Sequence, residues 1–344
     1  MQVAELIQTE YKAKDFKSDA SVRWCPGCGD FAILSCLHKA LADLGVAPHE
    51  TAVISGIGCS SRLPYYMNTY GFHSIHGRAA AIATGVKAAN PQLSVWVATG
   101  DGDSLAIGGN HFIHAIRRNI DINVILFNNK IYGLTKGQYS PTSDRGFVSK
   151  SSPHGTIEDP FRPSELCFGA RGTFFARAID VDMKATTEIM TLAGKHAGTS
   201  VVEVLQNCII FNDGIHSKIA DRAWKAEKTI MLKHGEKMIF GEEANKGIVL
   251  DGWNLKAVTI GEDGYTMDDV LTHDAKNADN TLQLKLSLMG YDNDLPVALG
   301  VIRSVEALTY DSELTKKVEQ AQRESTATSF TDFVMANSHI WEIK

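Results

Sequence analysis

The sequence predicts an α/β fold built on a doubly wound, mostly parallel sheet, and three observations carry that expectation. Short apolar runs of strand type alternate with helix-type periodicity from about residue 50 to residue 205. Two of these runs, residues 94–99 and 123–127, flank a helix-type stretch at 111–118, which makes a strand–helix–strand unit. Both runs end in polar or small residues, Gly100, Asp101 and Gly102 after the first and Asn128 and Asn129 after the second. The carboxyl edge of an open parallel sheet is where ligands bind.

The chain has 344 residues, enough for one large α/β domain plus an appendage, or for two modest domains. Hydrophobic residues make up 44% and charged residues 22%, the balance of a soluble globular protein. A formal charge of −6 disfavours sequence-independent nucleic-acid binding. No run reaches the length of a membrane span. The first ten residues have neither a basic start nor an apolar signal core, so a cytoplasmic location is expected.

Residues 1–23 read as a polar lead-in that packs on something else. A C-P-G-C-G turn follows Trp24 and points the thiols of Cys25 and Cys28 at one place. Leu34, Leu37, Leu41 and Leu44 then recur at helical spacing, and Gly45 stops the helix. Residues 51–55 form the first buried strand, ending in a loop that carries Gly58, Cys59, Ser60 and Arg62. An H-G-R segment with His76, preceded by His73, leads into a small-residue helix at 79–87. After Asn129 a Gly-, Thr- and Ser-rich loop runs to about residue 162, a length that marks a functional or mobile segment. An amphipathic turn at 164–170, a strand at 173–177 and a helix at 182–196 precede the strand 200–205, which delivers Gln206, Asn207 and Cys208. From about residue 215 charges become dense. Residues 225–246 read as a solvated helix and loop, with structured hints at 282–288 and 296–301. The expected division is therefore 1–215 for the cofactor-binding domain and 216–344 for an α+β extension that packs on a partner. No internal repeat or low-complexity segment is visible.

Asp101 and Asn129 stand 28 positions apart at neighbouring strand ends. A carboxylate and an amide oxygen so placed suit a hard divalent cation that bridges to phosphates. Gly100 and Gly102 let backbone amides approach a phosphate closely. The blander reading is a β-turn beside an Asn-rich strand end. Four of the six cysteines, Cys25, Cys28, Cys59 and Cys208, converge on the same edge. Four thiols match either Zn2+ or a [4Fe–4S] cluster, and spacing does not separate the two. Cys36 and Cys167, among leucines and phenylalanine, read as small buried hydrophobes.

The G-D-G…N-N pair resembles the diphosphate-binding signature of thiamine-diphosphate enzymes. That likeness implies Mg2+ on Asp101, Asn129 and the carbonyl of Ile131. Together with C-P-G-C-G, G-C-S-S-R, H-G-R and a late N-C, in that order over about residues 20–225, it resembles the β subunit of 2-oxoacid:ferredoxin oxidoreductases. The later part is similar, more loosely, to 2-oxoglutarate-type members. The resemblance implies the thiamine-diphosphate diphosphate-binding fold, and one [4Fe–4S] cluster on Cys25, Cys28, Cys59 and Cys208. It implies cofactor contacts from Gly58, Ser60, His76, Gly100, Asp101, Gly102, Asp103, Asn129, Ile131, Gly133 and Leu134. Asp103 and Ser104 would bind the diphosphate through backbone amides or orient the loop. Arg62 and Lys136 are candidates for the substrate carboxylate or else a surface cation or phosphate contact, and His76 for proton transfer or a hydrogen bond to cofactor, a role His73 shares with the alternative of a structural histidine.

The activity implied is oxidative decarboxylation of a 2-oxoacid, nearest to 2-oxoglutarate, with coenzyme A to acyl-CoA and CO2. Electrons would pass through the cluster to ferredoxin, reversibly as reductive carboxylation. Only one thiamine-binding half is visible, so an α subunit is implied, with αβ units pairing further into a heterotetramer, and the chain alone is expected to be inactive. Nucleic acid and membrane are not expected partners. The alternatives are specificity for pyruvate or a branched-chain 2-oxoacid, a non-oxidative thiamine-dependent carboligase or decarboxylase with a structural zinc on the four cysteines, and a non-catalytic scaffold subunit.

Overall fold

Each long apolar run becomes a strand buried on both faces. A computed structural model describes residues 10–291, 293–336, 339, 341 and 343. In chain order the strands are β1 (Thr51–Ser55), β2 (Tyr70–His73), β3 (Ser94–Gly100), β4 (Asn123–Asn128), β5 (Phe174–Ile179), β6 (Ser200–Leu205), β7 (Thr229–Leu232), β8 (Ile239–Phe240), β9 (Lys246–Asp251), β10 (Asn254–Thr259) and β11 (Val297–Ser304). Eight of them form one sheet in the order β2-β1-β3-β4-β6-β5-β11-β7. Pairing is parallel from β2 through to β5. It turns antiparallel once, between β5 and β11, and β7 then runs parallel to β11.

Side-chain alternation assigns the two faces. Val95, Val97, Val124 and Leu126 enter one core, whereas Trp96, Ala98, Ile125 and Phe127 enter the other. The helices are α1 (Asp30–Leu44), α2 (Ala79–Ala89), α3 (Asp101–Leu105), α4 (Gly109–Arg118), α5 (Pro163–Gly169) and α6 (Met183–Lys195). Residues of α1 and α6 share the core of Trp96, and residues of α2, α4 and α5 share the core of Val97. Helices on both faces explain why these strands read as continuous apolar runs rather than alternating ones. Gly45 ends α1 at φ 69°, the left-handed cap its position predicts. Asp182 opens α6, its side chain accepting from the Ala185 amide at 3.1 Å.

The lead-in packs on this chain itself. Phe16 is fully buried beside Leu37 and Tyr66 in the α1 core, and its carbonyl accepts from the Asn68 amide at 2.7 Å. Residues 1–9 lie outside the described residues.

Past residue 215 the structure departs from a solvated helix and loop. A helix does span Arg222–Lys228, but Thr229–Leu232 that follows is a strand of the main sheet. Four residues set between Lys228 and Lys233 are too short to reveal a period, and they become a strand by pairing with β11. Strands β8–β10 form a separate antiparallel sheet whose Phe240 and Ile248, with Met238 just before it, join the same core as Phe112 of α4. The expected boundary at 215 thus coincides with no break in the sheet. A fully buried pair fastens the addition: Arg177 of β5 donates to Glu203 of β6 at 2.7 Å and to the carbonyl of Ser287 at 3.0 Å. Among the described residues no helix is long and apolar enough to cross a membrane.

Two outcomes are expected. Gly300 sits at φ 99° in β11, where an added Cβ would collide with the Leu232 carbonyl of β7. Gly300→Ala should therefore cost at least about 2 kcal/mol, read as a lower midpoint in denaturant. His216 donates from Nε2 to the Asn128 carbonyl at 3.0 Å. Burial pushes its pKa down from 6.5 to about 4. The unfolded chain then takes up a proton that the folded chain refuses, so this contribution is complete above pH 6.5 and is lost as pH falls toward 4. The loss amounts to about 3 kcal/mol, and His216→Gln should remove that part of the acid sensitivity in pH-dependent unfolding curves.

Candidate active site

The carboxyl ends of β1, β3, β4 and β6 all reach one rim of the sheet, because these strands are mutually parallel. Their loops, with the segment after β2, enclose a cavity of about 580 Å3 lined by Cys59, His76, Asp101, Asn129, Tyr132 and Gly133, among others. The two anchors of the strand–helix–strand unit and one of the four converging cysteines therefore face the same space.

Asp103 organises this rim. Its Oδ1 accepts from the Ile57 amide at 3.0 Å, the Gly77 amide at 2.7 Å and His76 Nδ1 at 2.7 Å. Its Oδ2 accepts from Thr99 Oγ1 at 2.8 Å. This carboxylate, which also lines the cavity, is thus occupied with protein donors and ties the loops together. By holding the His76 Nδ1 proton, it leaves Nε2 of that ring available for a ligand.

Asp101 is different. It is buried, and its Oδ2 meets the hydroxyls of Ser140 and Thr142 at 2.5 Å each. Burial raises its pKa to about 6, against the lowering effect of those hydroxyls. The hydroxyls come from the long loop after β4, which is ordered here by turns and by its bonds to this carboxylate. Asn129 offers Oδ1, which accepts from the Ile131 amide at 3.1 Å, while its Nδ2 donates to Gln206 Oε1 at 2.8 Å. A carboxylate, an amide oxygen and the Ile131 carbonyl are hard oxygen donors, the set a magnesium ion takes. A buried carboxylate raised in pKa gains most from a cation beside it.

The thiols gather at the neighbouring part of the rim. A Cβ added at Gly133 would meet Cys59 Sγ and Cys208 Sγ, each at 3.6 Å, so glycine keeps the space between them open. Cys28 Sγ accepts from Gln206 Nε2 at 3.5 Å. Burial, and then the charge of Asp30, push the Cys59 thiol up to about 12, with Cys208 and Cys25 adding to the rise. Burial and Asp30 raise Cys28 too, and it senses both Cys208 and Cys59. All four sulfurs are free thiols. Among the described residues no three His, Cys, Asp or Glu side chains are gathered tightly enough to hold a single metal ion.

Of the other residues singled out from the sequence, Gly58, Ser60, Gly100, Gly102, Ile131 and Leu134 line the cavity. Arg62 and Lys136 do not. Arg62 donates from Nε to the Tyr66 hydroxyl at 3.0 Å and lies over the Tyr65 ring, and Lys136 is exposed on its loop. His73 is held by Ser55 Oγ at 3.1 Å and faces the Ser61 carbonyl at 3.0 Å, a structural setting. Cys36 and Cys167 are buried in the two cores.

Four participants escaped sequence reasoning: Tyr132, Ser140, Thr142 and Gln206. Tyr132 packs on Gly102, where any Cβ would strike its ring, and donates to the Gly102 carbonyl at 2.9 Å. Only the position of Gln206, two residues before Cys208 at a strand end, hinted at a role.

Residues 56–204 match the family model of the thiamine pyrophosphate enzyme C-terminal TPP-binding domain. The chain is 48% identical over 311 residues to the 2-oxoglutarate oxidoreductase subunit KorB of Mycobacterium tuberculosis, covering 90% of this chain and 83% of that one. It is 47% identical over 213 residues to the β subunit of 2-oxoacid:ferredoxin oxidoreductase 1 from Aeropyrum pernix, covering 62% of this chain and 67% of the relative. A solved structure of the 2-oxoglutarate:ferredoxin oxidoreductase from Magnetococcus marinus, with 2-oxoglutarate, coenzyme A and succinyl-CoA bound, matches with a TM-score of 0.75. Identity to it is 32%, over 96% of this chain and 97% of that one. Sharing sequence over most of its length with the first of these relatives, and fold with the last, the chain belongs to the β-subunit family of the 2-oxoacid:ferredoxin oxidoreductases, a family of oxidoreductases.

Proposed function

We propose that this chain is the β subunit of a 2-oxoglutarate:ferredoxin oxidoreductase, and that it carries Mg2+, thiamine diphosphate and a [4Fe–4S] cluster on one rim. The observation that carries the reading is the single cavity shared by Asp101, Asn129 and Cys59, with Gly133 open between Cys59 and Cys208. When bound, thiamine diphosphate supplies the nucleophilic carbon and electron sink for decarboxylating a 2-oxoacid, and the cluster takes up the released electrons singly. Everything else is done by the chain's own groups. Asp101 Oδ1, Asn129 Oδ1 and the Ile131 carbonyl hold the cation. Gly58, Ser60, Gly100 and Gly102 border the diphosphate, Leu134 the cofactor beyond it, and His76 Nε2 gives or takes a hydrogen bond there. Cys25, Cys28, Cys59 and Cys208 ligate the cluster. All four would serve as thiolates, so loading would release protons, and burial with Asp30 raises the thiols of Cys28 and Cys59 in the absence of iron. Arg62 and Lys136 stand off the cavity wall and receive no substrate contact in this reading.

The names of the relatives support 2-oxoglutarate as substrate and an α subunit as partner. Coenzyme A as acyl acceptor fits the ligands bound to the Magnetococcus marinus enzyme. We place both cofactors on residues 1–215 and the partner contact on the residues after 215. There Trp253, Phe330 and Phe333 are 81%, 81% and 63% exposed, more apolar surface than a solvated chain favours. αβ units would pair further into a heterotetramer, and ferredoxin would take the electrons. A cytoplasmic setting suits six cysteines that all stand as free thiols.

Anaerobic purification with the α subunit should give a brown complex with about four iron and four sulfide per β chain. It should turn over 2-oxoglutarate, coenzyme A and a viologen acceptor, while the β chain alone should not. Cys59→Ser should lower iron content and bleach the visible absorbance; a zinc-loaded, colourless complex would overturn the cluster. Asp101→Asn should weaken Mg2+-dependent thiamine diphosphate binding at least about tenfold in calorimetry and abolish turnover. A fully active Asp101→Asn complex would turn the reading toward a scaffold subunit.

A further inference from the structure

Between the two groups of ligands stands one fully buried side chain, Gln206, at the end of β6. Its Nε2 donates to Cys28 Sγ at 3.5 Å and to the Asn207 carbonyl at 2.5 Å. Its Oε1 accepts from Asn129 Nδ2 at 2.8 Å. The orientation of this amide is not free. The Asn207 carbonyl can only accept, so the nitrogen of Gln206 must face it and Cys28, and the oxygen must face Asn129. That fixes Asn129 in turn. Its Nδ2 is committed to Gln206, and its Oδ1 is left on the other side, accepting from the Ile131 amide at 3.1 Å with a lone pair to spare. An amide flipped the other way would present N–H groups where a cation needs an oxygen.

We propose that Gln206 is a positioning residue shared by both cofactors: it aims the Asn129 carbonyl oxygen at the magnesium ion and donates a hydrogen bond to the Cys28 sulfur of the cluster. This inference rests on the cofactor assignment above. A hydrogen bond to a ligating sulfur stabilises the reduced, more negative cluster and so raises its potential. An outer partner of a metal ligand typically changes metal affinity 10- to 100-fold, about the range expected here. One side chain would thus set both how the cation is gripped and how readily the adjacent cluster accepts an electron. Neither a leucine nor a methionine at this position could do either.

The test uses the assembled αβ complex, purified anaerobically, with Gln206→Met as the variant that keeps length but loses both bonds. Two quantities are read: the midpoint potential of the cluster in an EPR-monitored redox titration, and the Mg2+ concentration needed for thiamine diphosphate binding in calorimetry. With iron content at the wild-type level, the potential should become more negative and the Mg2+ requirement should rise about tenfold or more. If either quantity stays at its wild-type value, the inference is overturned. Should Gln206→Met fail to assemble, Gln206→Glu serves instead, because it keeps the shape and an acceptor for Asn129 Nδ2 but offers Cys28 a carboxylate. It should leave the Mg2+ requirement within about threefold of wild type and lower the potential; an unchanged potential overturns the inference. A wild-type complex that contains no iron, or binds thiamine diphosphate without regard to Mg2+, would instead remove the cofactor assignment itself.

Discussion

The rim depends on the buried carboxylate of Asp103. A charge taken out of water is tolerated only when protein donors replace the solvent. Here the donors come from the loop after β1, the segment after β2 and the end of β3: Ile57, Gly77 with His76, and Thr99. Each hydrogen bond to an ionised group contributes about 1.5–3 kcal/mol, and losing one leaves the charge less satisfied. No single loop can therefore move away without cost to the others. The cavity has its shape because three strand ends share one anion, and its neighbour Asp101, two residues earlier, is thereby turned into the cavity with a different set of partners.

Asp101 and the cysteines show a common electrostatic pattern. Burial raises the Asp101 carboxyl, the Cys59 thiol and the Cys28 thiol together. The first cause in each case is burial, which penalises the charged form, and for the two thiols the charge of Asp30 adds to it. A cation beside such groups would favour their charged forms, which is the electrostatic side of the cofactor assignment proposed above. The hydroxyls of Ser140 and Thr142 hold the Asp101 side chain at its rotamer in the meantime.

The sheet beyond β5 serves the same rim from a distance. β11 enters antiparallel, and Arg177 ties it to Glu203, which accepts in turn from Asn128 Nδ2 at 2.7 Å. All three side chains are buried, and a buried ion pair is seldom a net gain in stability. Its effect here is placement. The end of β4, from which Asn129 projects, is connected through Glu203 and Arg177 to the backbone at Ser287 and Ala298. The late part of the chain is thereby joined to the candidate metal site by hydrogen bonds rather than lying apart from it.

The local chemistry was legible in the sequence. Apolar runs at 51–55, 94–99, 123–127 and 200–205 specify strands buried on both faces, the pattern of a mostly parallel sheet covered by helices. Parallel strands put all their carboxyl ends on one edge, which is why Cys59, Asp101, Asn129 and Cys208 could be grouped from the sequence alone. What only the tertiary structure decided are contacts that carry no periodicity. Thr229–Leu232 is too short to announce itself and becomes a strand through its partner. Ser140, Thr142 and Gln206 matter because of what lies across from them; Arg62, plausible by position, is bonded to Tyr66, and Lys136 stands exposed on its loop. Strand identity is written in a residue's neighbours along the chain, whereas the partner of a single polar side chain is set by folding distant segments together.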